Sequence, residues 1–452
     1  MAAYSMTQKQ LSEYMEQLKG GGMNYGLGVM GELCRRLGNP QDGLKFVHIA
    51  GTNGKGSVLC FIANILMAAG YRVGCFFSPA IKTPREVIRI GRRMIAQADY
   101  CHYISLIKKV ADEMVAEGQA QPSAFELECA LAFLYFIEKK VDIVVLEAGM
   151  GGTLDATNVI KAPVVAVITS VGHDHGAYLG GNLAEIAAHK AGIIKAGSFV
   201  VSAAQQEAAT SVIAEKCEAL GCPLRFAPVA DKKGGIKRQK PGKPDYHRLI
   251  FSQHFSYDGL DNLSIHMAGS HQLENAVLAV EAVRALGGCE FTIREGHIRQ
   301  GLSAARWPGR FELLRAKPPV IVDGAHNTDA ALRLFETLKM YFTKRRIIYI
   351  MGVFADKDYA GMIAAGCVLA EHVITVTLPD GRALPAYELA QCAQAYHHQV
   401  TAADSIHEAC ELALLLAGKD GVVLAFGSLT LVDGVRKSVA VLEVGADAYI
   451  GP

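Results

Sequence analysis

Short runs rich in Val and Ile and almost wholly apolar recur along the chain, separated by longer stretches with helical patterning, and this alternation limits the fold more than any other feature. The first series is 45-KFVHIA-50, 72-RVGCFF-77, 141-VDIVVLE-147, 163-PVVAVIT-169 and 199-FVVSA-203. A strand with one face in water alternates apolar and polar residues, whereas a strand apolar throughout is covered on both faces, the condition of a parallel sheet wrapped by helices. A second series, 319-PVIVD-323, 346-RIIYIMG-352, 372-HVITVT-377 and 421-GVVLAFG-427, starts after 301-GLSAARWPGRFEL-313 and predicts a separate, smaller α/β domain. The 452 residues exceed one ordinary core, since domains run to roughly 100–200 residues. The expected division is 1–303 and 304–452. Between 231 and 250 the pattern dissolves into DKKGGIKRQKPGKPDYH, read as a solvated loop because no aromatic residues interleave with the basic ones as nucleic-acid stacking requires.

Lys and Arg (45) nearly cancel Asp and Glu (44), so the overall charge calls for no polyanionic partner such as nucleic acid, and a small, locally recognised ligand is expected. The 11 cysteines are odd in number and scattered singly with no C-x-x-C pair, which points to a reducing, cytoplasmic compartment. The start, MAAYSMTQKQLSEYMEQ, has no basic segment leading into an apolar run, and no stretch reaches the roughly 18 uninterrupted apolar residues of a membrane helix. No membrane association is expected.

In parallel α/β sheets ligands sit beyond the carboxyl ends of the strands, so the chemistry is sought there. The first such end carries 48-HIAGTNGKGSV-58, a departure from the G-x-x-x-x-G-K-[ST] phosphate loop: Ile49 stands where the first glycine belongs and Gly56 separates Lys55 from Ser57. The context is nonetheless that of an anion site, a strand over 45–50 followed by a helix over 57–69 that Gly70 stops. Gly51, Gly54 and Gly56 let the backbone of Gly51–Thr52–Asn53–Gly54 approach a phosphate, Lys55 supplies a point charge, and Ser57 can reach a magnesium ion. A second glycine pattern, 26-GLGVMG-31, matches the dinucleotide fingerprint but has no strand before it, which argues against a nicotinamide enzyme.

Two further strand ends carry polar groups. The strand 141–147 closes on Glu147 and opens into AGMGGTLDATNV; the strand 163–169 leads into 170-SVGHDHG-176, with His173, Asp174 and His175. Each alone reads equally as a solvated loop, but two such loops flanking a phosphate loop suit a metal–nucleotide site. In 182-NLAEIAAHKAGIIKAG-197, Asn182 and Glu185 resemble a capping pair, and Lys190 falls on one helical stripe with Leu183, Ile186 and Ile194. It is either a snorkelling lysine or a buried amine made reactive by a depressed pKa.

Taken in order, "AGTNGKGS", "LEAGMGGTLDATNV", "ITSVGHDH", "IAAHKAGIIK", "HQLENAVLAV", "WPGRFE", "DGAHN" and "GSLTLV" resemble the folylpolyglutamate and dihydrofolate synthase branch of the Mur ligases, from about residue 24 to about 436. The resemblance implies a Mur-ligase-type P-loop parallel-sheet ATPase domain followed by a smaller Rossmann-like α/β domain. It implies a ligase that transfers the γ-phosphoryl of ATP to a carboxylate and lets the amine of L-glutamate attack the acyl phosphate of a folate or dihydropteroate. It implies that Lys55 and the loop amides hold the phosphates, that Ser57 and Glu147 hold one Mg²⁺ and His175 a second, and that Lys190 is carbamylated into an anionic metal ligand. It further implies that Gln272 and Asn275 flank the adenine, that Arg310 contacts phosphate, that Asp323 and His326 approach the nucleotide, and that the protein is a monomer closing two domains over ATP.

The chain also departs from the family pattern. In 78-SPAIKTPREVIRI-90, Ala80 and Val87 stand for a histidine and an arginine of the segment associated with the pterin, while Glu86 remains; Thr153 stands for an arginine and His189 for a glutamate. These changes leave open a ligase of the same type acting on another carboxylate. A peptidoglycan-type Mur ligase is disfavoured because no domain of about 100 residues precedes the loop. A non-catalytic nucleotide-binding relative is disfavoured by the joint presence of Lys55, Ser57, Glu147, His175 and Lys190.

Overall fold

A computed structural model describes residues 6–20, 26–173, 176–229 and 235–448. The chain divides into two compact units, one formed by Met1–Gly235 with Glu274–Ala304 and the other by Ile236–Leu273 with Ala305–Pro452. The segment 236–273, placed by sequence with the first domain, therefore packs with the second unit.

The first unit is built on eight strands: β1 (Phe46–Ala50), β2 (Val73–Phe76), β3 (Ile88–Ile90), β4 (Arg93–Met94), β5 (Ile143–Glu147), β6 (Val165–Ile168), β7 (Phe199–Ser202) and β8 (Leu224–Phe226). Their order is β4-β3-β2-β5-β1-β6-β7-β8. From β2 to β8 every pairing is parallel. The hairpin β3–β4 adds an antiparallel edge that no apolar run announced, because apart from the buried Ile88 its positions are only half-buried or exposed. Every residue of β1, β5 and β6 is buried, which is why these segments lack polar alternation. The helix Ala124–Glu138 closes against this sheet: the rings of Phe46 and Phe133 meet edge-on at 5.8 Å, and an added Cβ on Gly74 would lie 3.0 Å from the Phe136 ring.

In the second unit six strands, β12 (Glu312–Ala316), β13 (Pro319–Asp323), β14 (Ile347–Met351), β15 (His372–Val376), β16 (Val400–Ala403) and β17 (Val422–Phe426), lie in the order β12-β13-β17-β14-β15-β16. Only β12 runs antiparallel. A three-stranded antiparallel sheet, ordered β11-β10-β9, joins β9 (Lys237–Arg238), β10 (Gln253–Tyr257) and β11 (Leu260–Ile265). The stretch expected as a solvated loop thus contributes a strand: Arg238 pairs with Phe255 and Lys237 with Ser256 while both basic side chains stay exposed. Charge hid the strand because a short edge strand needs no apolar face.

Among the described residues no helix is long and apolar enough to cross a membrane, and the eleven cysteines are all free thiols.

Candidate active site

The site of the first unit follows from strand order. Because β1 lies between β5 and β6, with Ile49 opposite Glu147 and Ala50 opposite Ile168, three carboxyl ends stand side by side. They deliver the loop 51–54, the loop after Glu147 and the loop after Ile168 to one edge of the sheet.

The helix after β1 runs Lys55–Ala68, two residues earlier than the sequence suggested, and Gly70 has a φ of +90° beyond its end. The loop before it is tied to the β6 side. Thr52 N donates to Ser170 O at 2.8 Å, Ser170 Oγ donates to Asn53 O at 3.2 Å, and Gly172 N donates to Thr52 Oγ1 at 3.0 Å. Glycine is obligatory at two points. A Cβ on Gly51 would lie 1.8 Å from Thr169 Oγ1, and one on Gly54, whose φ is +90°, would lie 2.6 Å from Asn275 Oδ1. Lys55 Nζ donates to Gly51 O at 3.1 Å and Thr52 O at 3.3 Å, so its ammonium already lies over the loop. Gly56 and Ser57 are buried in the first turn, where free amides and the helix dipole favour an anion.

Ser57 is 1 % exposed and Glu147 4 %. A hydroxyl and a carboxylate buried at adjacent strand ends are hard oxygen donors of the kind Mg²⁺ takes when phosphates and waters complete its shell, so these residues fit that ion. Among the described residues no cluster of three His, Cys, Asp or Glu forms a metal cage. His175, assigned to a second ion, lies outside the described residues together with Asp174; His173 is exposed.

Lys190 lies in the helix Leu183–Ala191, which ends well before residue 197, so Ile194 is not on its stripe. Asn182 caps it, accepting from Glu185 N at 3.0 Å, and Glu185 turns back to Gly181 N at 2.7 Å. Leu183, Ile186 and Lys190 are all buried, Lys190 at 3 % exposure, so this lysine is enclosed rather than snorkelling. The loop after Glu147 is fastened to the end of the same helix. Thr153 N and Oγ1 both donate to His189 O, at 2.8 and 3.1 Å, and Asn158 Nδ2 donates to Gly192 O at 3.1 Å. A Cβ on Gly152 would meet His189 O at 2.6 Å and Lys190 O at 2.8 Å. The structure thus joins the loop after Glu147 to the helix that carries Lys190.

Beside that loop is a cavity of about 50 Å³ walled by Phe125, Met150, Leu154, Asp155, Tyr178 and His189. Burial pushes the Asp155 carboxyl up, while donation from Thr157, Met150 N and Gly149 N opposes this. Of these wall residues the sequence marks only His189, as a departure from the family pattern. Asp155 sits inside a quoted motif, but Phe125 and Tyr178 carried no local signal.

Of the two departures at 78–90, Val87 has a plain structural role. Val87 is 2 % exposed, a core position. Glu86 accepts from Ile81 N and, at 2.8 Å, from Lys82 N, so it shapes the turn that holds Ala80.

In the second unit Arg310, Asp323 and His326 gather around the end of β13. Asp323 Oδ2 accepts from Phe311 N at 2.7 Å and Oδ1 from Ala325 N at 2.8 Å; burial raises its pKa, and Arg310 opposes the rise. His326 Nδ1 donates to Gly324 O at 2.9 Å. Glu312 accepts from Gly309 N at 2.7 Å and from both terminal nitrogens of Arg436, which fixes the turn bearing Arg310. Gln272 and Asn275 share one face of the helix Ser270–Gly287; Gln272 is buried, and Asn275 is the residue beside Gly54.

Residues 49–283 match the Mur ligase middle domain and residues 309–429 the Mur ligase glutamate ligase domain. The chain belongs to the Mur ligase family. Within it, the likeness extends over almost the whole length to the folylpolyglutamate and dihydrofolate synthases. The dihydrofolate synthase/folylpolyglutamate synthase of Bacillus subtilis is 34% identical over 418 residues, covering 92% of this chain and 95% of that one. The Mycobacterium tuberculosis folylpolyglutamate synthase complexed with ADP and AMPPCP superposes with a TM-score of 0.85 at 30% identity, covering 95% and 97% of the two chains. E. coli FolC in complex with DHPP and ADP gives 0.82 at 28% identity, with 96% and 98% covered.

Proposed function

We propose that the chain is an ATP-dependent ligase that joins L-glutamate to the carboxylate of a folate or dihydropteroate by way of an acyl phosphate, as a cytoplasmic monomer. One observation carries this reading: the glycine loop with Lys55 shares a sheet edge with the buried oxygens of Ser57 and Glu147, in a fold whose relatives bind ADP and AMPPCP. On this reading residues 1–303, apart from the segment 236–273 that packs with the second unit, act as the ATP-binding domain with the folate site, and residues 304–452 as the glutamate-ligase domain.

The loop amides of 51–54 and the Lys55 ammonium hold the β- and γ-phosphates and offset the charge that shifts as the phosphoryl moves. Magnesium held by Ser57 and Glu147, with a second ion at His175 and a carbamylated Lys190, would supply charge neutralisation at those phosphates. A neutral amine that forms an N–C bond to CO₂ and releases one proton to solvent becomes an anionic carbamate, which would account for a lysine buried on the same stripe as Leu183 and Ile186. Gln272 and Asn275 flank the adenine, and Arg310, Asp323 and His326 act on the nucleotide when the second domain closes. Closure keeps water from the acyl phosphate, so glutamate's amine reaches it first and phosphate leaves.

The altered 78–90 segment is compatible with this activity, since Val87 fills core and Glu86 is retained as a turn former. The test is isotopic: an acid substrate with ¹⁸O in its carboxylate passes one ¹⁸O to the released phosphate if an acyl phosphate forms. Unlabelled phosphate alongside amide product would rule that intermediate out.

A further inference from the structure

His48 is fully buried on β1, three residues before the phosphate loop, and is absent from the roles assigned above. Its Nε2 lies 2.8 Å from Thr157 Oγ1, although the two residues are 109 apart in sequence. Thr157 Oγ1 in turn donates to Asp155 Oδ1 at 2.5 Å. The direction of this chain is fixed by its far end. Asp155 Oδ1 also accepts from Thr157 N at 3.0 Å and Oδ2 from Met150 N at 2.8 Å, so both oxygens act as acceptors. Thr157 has one hydroxyl proton and spends it on the carboxylate; the proton between His48 and Thr157 therefore belongs to His48 Nε2. Nδ1 is then the bare nitrogen, and it has no hydrogen-bond partner. Burial, aided by Lys195, pushes the His48 pKa down to about 3, so the ring stays neutral.

We propose that His48 is a positioning residue for the acid substrate: through Thr157 it fixes Asp155, and with it the loop after Glu147 whose Gly152 abuts Lys190, and that loop shares a sheet edge with the phosphate loop, where the acid's carboxylate must meet the γ-phosphoryl. The relay runs from the buried core of β1 to Asp155, whereas the phosphate loop is held by its own bonds to Ser170 and Gly172, so the support acts on the loop after Glu147 and not on the phosphate loop. The kinetic part of this inference rests on the ligase activity proposed above.

Three variants test it. Thr157→Val keeps the side chain's shape and removes the hydroxyl, Thr157→Ser restores the hydroxyl, and His48→Leu removes the donor. Loss of a hydrogen bond to a buried carboxylate should raise the KM for the acid about tenfold in Thr157→Val and in His48→Leu, while Thr157→Ser returns it to within about threefold of wild type. The KM for ATP should stay within about twofold in all three, and the double variant should be no worse than either single one, since both break the same chain. Equal rises in both KM values, or multiplicative single effects, would reduce the relay to general packing and overturn the proposal. A ¹⁵N spectrum of the histidine rings reads the relay without turnover: His48 should show a protonated Nε2 and a bare Nδ1, unchanged from pH 5 to 8. A proton on Nδ1 would overturn the direction of the chain even if the protein turned over no folate at all, whereas an intact signal in an inactive protein would fault the assigned activity and not the relay.

Discussion

Replacing Gly152 by alanine isolates the contact between the loop after Glu147 and the helix bearing Lys190. The new Cβ would stand 2.6 Å from His189 O, 2.8 Å from Lys190 O and 3.1 Å from Lys190 Cα, and the range of ordinary contact begins at 3.4 Å. All three atoms are backbone, so no side chain can rotate away, and the helix end must retreat by about 0.8 Å at its closest point. Overpacking of this kind typically costs about 1–3 kcal/mol of stability. The effect on catalysis should be larger, because a displacement near 1 Å at a reacting group lowers rates by about 100-fold. Gly181→Ala is the control, since a Cβ there meets nothing within 4 Å, although it also lies beside this helix. We expect Gly152→Ala to lower kcat/KM about 100-fold at a temperature where circular dichroism shows it folded, and Gly181→Ala to match wild type. A folded Gly152→Ala enzyme with an unchanged rate would refute the argument, because Lys190 would then tolerate displacement and could not be a ligand held in the site.

Other expectations are independent of that contact. Lys55→Ala removes the charge above the phosphate loop, and phosphate release should fall by the 10²–10³ characteristic of a lost electrostatic donor, about 2.7–4 kcal/mol; an unchanged rate would place the nucleotide elsewhere. Lys190 should take up ¹³CO₂ and give a carbamate carbon resonance that Lys190→Ala abolishes; a spectrum with no such signal would remove Lys190 from the metal ligands. Stability should depend on pH through His48, whose pKa falls from the ordinary 6.5 to about 3 on burial. Between these values the unfolded chain binds the extra proton and the folded chain does not, so stability is complete above 6.5 and is lost as pH falls toward 3, by up to about 1.4 kcal/mol per pH unit. Urea midpoints at pH 4, 5 and 6 should show a shallower slope in His48→Gln, and an identical slope would mean that another group sets it.

Much of the fold was legible because full burial removes polar alternation, so β1, β5 and β6 announced themselves as apolar runs. The hairpin β3–β4 and the strand β9 did not, since edge strands bury little and their residues follow turn and charge preferences. The candidate site was legible where chemistry is local: the glycines, Lys55 and Ser57 fall within seven residues, and Glu147 closes an apolar run. What escaped depends on contacts across the sequence. His48 reads as one more residue of a buried strand, and only the pairing of β1 with its neighbours brings it to Thr157. Phe125 lies in an apolar helix where nothing marks the ring that faces a cavity. The helix of Lys190 was read too long because its apolar residues continue past Ala191, although Gly192 ends the regular turn.

The most direct test of the account incubates the purified chain with Mg-ATP and L-glutamate, with dihydropteroate in one reaction and tetrahydrofolate in another, and follows phosphate release together with product mass. Phosphate released in step with a mass gain of one glutamyl residue in either reaction is the predicted result. Nucleotide binding without phosphate release or mass gain in both reactions would contradict it.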